Sequence, residues 1–183
     1  AIVAEGFEAG GHNGKDEITT MCLIPLLKQA TDIPIIAAGG IGSAQAMLAA
    51  FALGADGVQI GSRFAASVES SAHIKFKKEI INSSENDTIL TLKELAPVRI
   101  LKNPFYTKIF DAYNNGASTQ ELKTLLGKGR AKKGMFEGNL EEGELEIGQV
   151  SAQIDEIKSV QEIMEELTEG FKRAKNNLNN FDF

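Results

Sequence analysis

The sequence predicts an α/β domain built on a parallel β-sheet covered by helices. Three observations carry this reading: short runs that are apolar on both faces, helical segments alternating with them, and glycines at the strand ends. A strand buried on both faces reads as a continuous apolar run, and a right-handed helical crossover returns the chain to the next parallel strand. Taken alone, such βα units in succession fit either a (β/α)8 barrel or a doubly wound open sheet.

The chain opens on Ala1-Ile2-Val3-Ala4, an apolar run with no start signal before it, and an N-terminal portion is expected to precede it. The glycine-rich loop from Gly6 to Gly14 follows. Thr19 or Thr20 caps a helix running to about Thr31, with Met21, Ile24 and Leu27 on one face and Cys22 as a small buried residue. Pro25 is expected near the first turn, because deeper in it would kink the helix. Ile33 to Ala38 is the second strand and ends at Gly39-Gly40. Ser43 then caps a helix to Leu53, which Gly54 stops. Gly57 to Ile60 is the third strand, followed by Gly61-Ser62.

Beyond Phe64 the pattern turns helical. Ser71 to Asn82 places Phe76, Ile80 and Ile81 inward, and Asn103 to Asn114 and Ser118 to Leu126 follow. Gly127 to Gly148 reads as a loop excursion. Ser159 to Asn176 is an amphipathic closing helix with Val160, Ile163, Met164, Leu167 and Phe171 on one face, and the polar tail from Asn177 is expected to fray. With no internal repeat and no strong linker, the 183 residues read as one domain.

Composition narrows the function classes. An apolar fraction of 43% with 24% charged residues is that of a globular protein. The net charge of −6 argues against a nucleic-acid binder. No apolar run approaches the roughly 18–20 residues of a membrane span, and no secretory pattern is present. A single cysteine excludes an internal disulfide and fits a reducing cytoplasm. Cys22, His12 and His73 are too scattered for a metal-ligand cluster, so no metal is expected. Charge is nevertheless segregated: Lys128, Arg130, Lys132 and Lys133 precede Glu137, Glu141, Glu142, Glu144 and Glu146. The basic patch is either a solvated loop or a docking site for an acidic partner or for cofactor phosphates.

Two strand ends carry the same device. Ala38-Gly39-Gly40 joins a strand to the helix capped by Ser43, and Gln59-Ile60-Gly61-Ser62 repeats the arrangement one unit later. Glycines let the backbone approach an anion, and a helix amino end offers free N–H groups with a favourable dipole. The plainer reading is that these glycines only turn the chain. Two such loops at adjacent strand ends favour phosphate, as after the last two strands of (β/α)8 barrels. The dinucleotide fingerprint Gly-x-Gly-x-x-Gly is absent.

The segments Glu5-Gly6-Phe7-Glu8-Ala9-Gly10-Gly11-His12-Asn13-Gly14, Ala37-Ala38-Gly39-Gly40-Ile41 and Gly54-Ala55-Asp56-Gly57-Val58-Gln59-Ile60-Gly61-Ser62-Arg63-Phe64 resemble the nitronate monooxygenase superfamily. That superfamily includes the FMN-dependent enoyl-acyl carrier protein reductases of the second type. The reductase branch is the closer, since Glu69-Ser70-Ser71-Ala72-His73, Asp87-Thr88, Arg99 with Lys102-Asn103, and Gly143 to Ala152 resemble its C-terminal region. Ala9 departs from that branch, where Ser is frequent, and agrees with the monooxygenases.

The resemblance implies the C-terminal part of a (β/α)8 barrel, its sixth to eighth strands plus C-terminal helices; a whole barrel takes about 250 residues. It implies FMN held by Gly10, Gly11, Ala38, Gly39, Gly40, Gln59, Gly61 and Ser62, with Gly148-Gln149 lining the pocket, and NADH or NADPH as co-substrate. It makes His12 the active-site histidine; imidazoles exchange protons near neutral pH. His73 is read as a helix cap, and Glu5 and Glu8 as orienting His12, fixing the loop or solvated. The implied activity is reduction of an enoyl thioester, small or carried on acyl carrier protein, in fatty acid synthesis. The alternatives are oxidation of nitronates or nitroalkanes with FMN and oxygen, and an inactive fragment. In the last case a second copy or a complementing N-terminal segment would cover the open strand edge.

Overall fold

Two three-stranded sheets organise the chain in this computed structural model, which describes residues 1–178 and residue 180. The first sheet is parallel, in the order β1 (Ile2–Glu5), β3 (Ile35–Ala38) and β4 (Gly57–Gln59). Helix α1 (Thr20–Ala30) crosses from β1 to β3, and α2 (Ala44–Ala52) from β3 to β4. Ala4, Ile24, Ile35, Ala37, Ile41 and Ala50 form the core between sheet and helices. Full burial of a side chain such as Ile24 or Ile35 contributes about 1.5–3 kcal/mol. Glu5 pairs with Ala38 and Ala38 with Gln59, so the three carboxyl ends finish level.

Local signals set the helix ends. Thr19 accepts the Cys22 N–H and Ser43 the Ala46 N–H, each capping its helix. Gly54 follows α2 with a φ of +105°, a left-handed turn that a Cβ would strain. Within α1 three expectations fail. Pro25 lies inside the helix rather than near its first turn. Met21 is 65% exposed and Cys22 is exposed. Ile24 and Leu27 pack inward as expected, and Thr20 and Leu23 complete that face in place of Met21.

The second sheet is antiparallel and was not expected from the sequence: β2 (Gly11–His12), β6 (Val98–Leu101) and β5 (Thr88–Thr91), in that order. Because β2 begins in the loop after β1, this sheet stands beside the carboxyl ends of the parallel one. Helix α5 (Pro104–Asn114) packs on it through Phe105 and Ile109 and α6 (Thr119–Leu126) through Leu122, against Leu92, Val98 and Ile100. Asn103 caps α5, with Pro104 in its first turn, and Ser118 with Glu121 forms a capping box on α6.

Between the sheets lie the short helix α3 (Ser62–Ala65) and α4 (Ile74–Ile81), which His73 caps through Nδ1. Ser71 to His73 therefore precede that helix. The excursion expected over 127–148 contains a π-helix, Lys132–Phe136, and a 3-10 turn, Gln149–Gln153, follows it. Helix α7 (Val160–Leu178) closes over α2, where Gly170 packs on Ala44 and Phe51 meets Phe171 edge to face at 5.6 Å. Met164 is exposed, whereas Ile163, Leu167 and Gly170 face inward. The helix runs past Asn177 to Leu178; of the tail expected to fray, residues 179 and 181–183 lie outside the described residues.

Candidate functional site

A cleft of about 280 Å³ opens at the carboxyl ends of β1, β3 and β4. Gly10, Gly11, Ala38, Gly39, Gly40, Gln59, Gly61 and Ser62 all line it, together with Glu5, Glu8, Met135, Glu146, Ile147, Gly148 and Val150. Three chain segments far apart in sequence thus bring the glycine loops to one wall. The segment 146–150 supplies the opposite wall, with Ile147 and Val150 as its apolar part.

The glycines of this cleft fall into two kinds. A Cβ at Gly10 would lie 2.3 Å from the Ile147 carbonyl carbon, and one at Gly39 would lie 2.6 Å from the Gly6 carbonyl oxygen. These two are required by the protein's own backbone packing, and Gly39 and Gly40 also hold φ values of +84° and +72°. At Gly61 a Cβ would meet nothing within 4 Å, and φ is −97°. Neither packing nor strain demands a glycine there; its bare backbone keeps the cleft open. The amino end of α3, which starts at Ser62, carries no side-chain cap. Its N–H groups and the helix dipole therefore suit an anion.

The loop between β1 and β2 is fixed from several sides. The Glu8 carboxylate accepts the Thr20 N–H at 3.1 Å, at the amino end of α1, and the Glu8 carbonyl accepts the Gln149 N–H at 3.0 Å. Of the readings for Glu8, loop fixing is the one the contacts carry. The Gly148 N–H donates to Ser62 Oγ at 3.0 Å, which joins the two walls. Arg99, buried on β6, donates through Nε and Nη2 to the Phe7 carbonyl at 3.1 and 2.9 Å and stacks over the Phe7 ring. Asn13 Nδ2 donates to the carbonyls of Ala9 and Gly11. Burial lowers the Arg99 pKa below its ordinary value and raises that of Glu5.

His12 does not line this cleft. It stands on the exposed side of β2 and lines a second cavity of about 250 Å³, with Leu92, Leu95, Val98, Leu126, Arg130, Glu144 and Glu146. Glu146 borders both spaces, so it marks the partition between the glycine cleft and the His12 cavity. Glu144 is only 6% exposed, and burial, reinforced by the like charge of Glu146, pushes its carboxyl up to about 7. Glu146 is also raised by burial, and the nearby His12 opposes that rise.

Neither carboxylate stood out in the acidic run. The signal was Glu144-Leu145-Glu146-Ile147, an alternation that puts both acids on one side of an extended segment. The basic patch also resolves into separate roles. Arg130 is consumed internally by the carbonyls of Leu125, Leu126 and Glu142, by the Glu142 carboxylate and by the Phe105 ring. Lys132 pairs with Glu137 at the surface. Among the described residues no group of His, Cys, Asp and Glu is arranged to hold a metal ion, and no helix is long and apolar enough to cross a membrane.

Comparison with known proteins places this arrangement. The family described as nitronate monooxygenase matches residues 1–170. A probable nitronate monooxygenase of Staphylococcus saprophyticus is 34% identical over 158 residues, 81% of this chain and 44% of that protein. One from Staphylococcus aureus is 44% identical over 99 residues, 50% of this chain and 28% of the relative. Among solved structures, FabK from Thermotoga maritima superposes with a TM-score of 0.91 at 40% identity, over 98% of this chain and 57% of that one. Nitroalkane oxidase from Streptomyces ansochromogenes superposes with a TM-score of 0.76 at 28% identity, over 96% of this chain and 52% of that one. The chain therefore spans about half the length of these structures and less of the curated relatives.

Proposed function

The chain belongs to the nitronate monooxygenase family, and from that premise we propose that it is the phosphate-binding part of an FMN-dependent oxidoreductase that reduces enoyl thioesters. The observation that carries the cofactor is the Gly61 corner: a bare backbone facing open space beside an uncapped helix amino end. Those residues fit a flavin phosphate, because a phosphate needs N–H donors and room rather than a side chain. In this reading β1, β3 and β4 are consecutive strands of a (β/α)8 barrel and the chain is one unit of it. Carboxyl-end loops are where such barrels place phosphate and chemistry.

FMN, when bound, supplies the hydride chemistry, with NADH or NADPH as the reductant. The chain's own residues do the rest. Gly39-Gly40 and Gly61-Ser62 hold the phosphate. Gly10 and Gly11 let the backbone approach the ring, Ala38 and Gln59 complete that wall, and Ile147 with Val150 keep water from it. His12 faces the second cavity, so in this reading the thioester end of the substrate reaches past Glu146 to it, where His12 donates a proton to the α-carbon or a hydrogen bond to the developing enolate oxygen. Likeness to FabK over nearly the whole chain supports the reductase branch.

A second reading is favoured by Ala9 and by the relatives described as probable nitronate monooxygenases. His12 would then act as a base toward a nitroalkane, with oxygen as oxidant. Anaerobic mixing of FMN-loaded protein with NADH separates the two. Flavin bleaching that an enoyl thioester reverses is expected for the reductase. Flavin left oxidised by both NADH and NADPH would move the assignment to the monooxygenase.

A further inference from the structure

We infer that Glu146 and Glu144 form a proton-supply line to His12, fed from the second cavity rather than from the flavin cleft. The inference deepens the proposed role of His12 and rests on that reading for its consequence in turnover. The juxtaposition itself does not.

Strand pairing sets up the line. His12 lies opposite Val98, and Glu146 is bridged to Ile100, two residues further along the same strand. Residues directly opposite share a face, and so do alternate residues along a strand. His12 and Glu146 are therefore neighbours on one face of the antiparallel sheet. The Leu101 N–H bonds to the Leu145 carbonyl, which holds the segment extended and brings Glu144 to the same side. All three side chains line the second cavity. Gly11 completes the arrangement, since a Cβ there would come within 2.9 Å of Glu146 Oε2.

The other charged group on this cavity is Arg130, from the segment after α6, and its guanidinium is already bound to Glu142 and to backbone carbonyls. The remaining wall, Leu92, Leu95, Val98 and Leu126, carries no charge. On the cleft side Glu5 and Glu8 line the same space as Glu146, and Glu8 is held by the Thr20 N–H. The Glu144 carboxyl lines the cavity, and the residue as a whole is 6% exposed. Two acids so placed keep a proton between them near neutrality, because ionising both would put like charges together out of water.

The transfer balances without any co-reactant. Neutral His12 that has lost its proton to substrate takes one from the Glu146 carboxyl, across a bridging water. The Glu146 carboxylate takes the Glu144 proton, and Glu144 regains one from bulk solvent, relayed through water in the second cavity, so the net change is one solvent proton delivered to substrate. Glu146 is in this sense a positioning and relay residue that acts through His12.

The test reads protons directly and needs no flavin. Carboxyl carbon-13 signals of Glu144 and Glu146 are followed against pH in the labelled chain, in His12→Gln and in Glu144→Gln, with the His73 imidazole and the amide spectrum as folding controls. In the unsubstituted chain the Glu146 signal is expected to move in two steps, one its own and one imposed by its neighbour across Gly11. In His12→Gln the second step disappears and the first midpoint rises by about half a pH unit or more, roughly a threefold change in proton affinity. In Glu144→Gln the part of the Glu146 response that follows Glu144 ionisation disappears, because the partner acid is gone. A single Glu146 step that ignores both substitutions would overturn the line. If a variant does not fold, the two-step trace of the unsubstituted chain decides alone. Since no flavin is present, failure here leaves the cofactor assignment standing, and failure of flavin binding leaves this result intact.

Discussion

At the scale of single residues, Gly61 and Glu144 make the sharpest claims. Gly61→Val adds a side chain to open space at an ordinary φ, so stability should change by no more than about 0.5 kcal/mol. The same change should weaken FMN binding at least about tenfold by filling the space beside the α3 amino end. Gly39→Ala is the contrasting case: a positive φ and a clash with the Gly6 carbonyl should cost about 1–3 kcal/mol in chemical denaturation. Glu144 carries a pH signature. Its folded-state carboxyl keeps a proton up to about 7, whereas the unfolded chain loses it near the ordinary value of 4.5. The folded state thus holds the extra proton within that window, and stability falls as pH rises through it. Glu144→Gln should remove this slope and stabilise the protein by about 1–2 kcal/mol at pH 8, with little gain at pH 4, measured by urea denaturation.

At the scale of elements, the second sheet depends on a buried cation. Arg99 anchors the Phe7 carbonyl from β6 while its neighbours on that strand are apolar. Arg99→Met leaves that carbonyl without its donor and should cost about 2–4 kcal/mol, with faster amide hydrogen exchange at His12 and Asn13. Unchanged exchange in that loop would show that β2 is held by its backbone pairing alone. This element also explains what the sequence made legible. The parallel strands announced themselves because both faces are buried, and their helices through Ser43, Thr19 and Gly54. The antiparallel strands did not: β2 has two residues, and β6 reads Val-Arg-Ile-Leu with the arginine buried as deeply as its neighbours. A buried charge breaks the alternation on which strand reading depends. The glycine loops were legible as neighbours at adjacent strand ends, and they do line one cleft, whereas Glu144 and Glu146 were hidden in a charge run that looked solvated. Cys22 and Met21 were misplaced because apolar spacing alone does not say which way a helix faces.

At the scale of the whole molecule, β1 is an edge of the parallel sheet, with β3 as its sheet neighbour. Val3 on this strand is 52% exposed, and the helix that follows it exposes Met21 at 65% and Leu26 at 56%. An apolar edge of this kind pairs with another chain or segment unless it is covered. Studied alone, the chain should therefore associate as its concentration rises, and Leu26→Lys should shift sedimentation toward the monomer. A chain that stays monomeric up to high concentration would show that this edge is inert.

The most direct test of the central claim compares FMN with riboflavin, which lacks only the phosphate, by fluorescence titration of the chain and of Gly61→Val. FMN is expected to bind the unsubstituted chain at least about a hundredfold more tightly than riboflavin, and Gly61→Val to erase most of that difference. Equal affinity for the two flavins would contradict it, and would return Gly39, Gly40 and Gly61 to the plainer role of turning the chain.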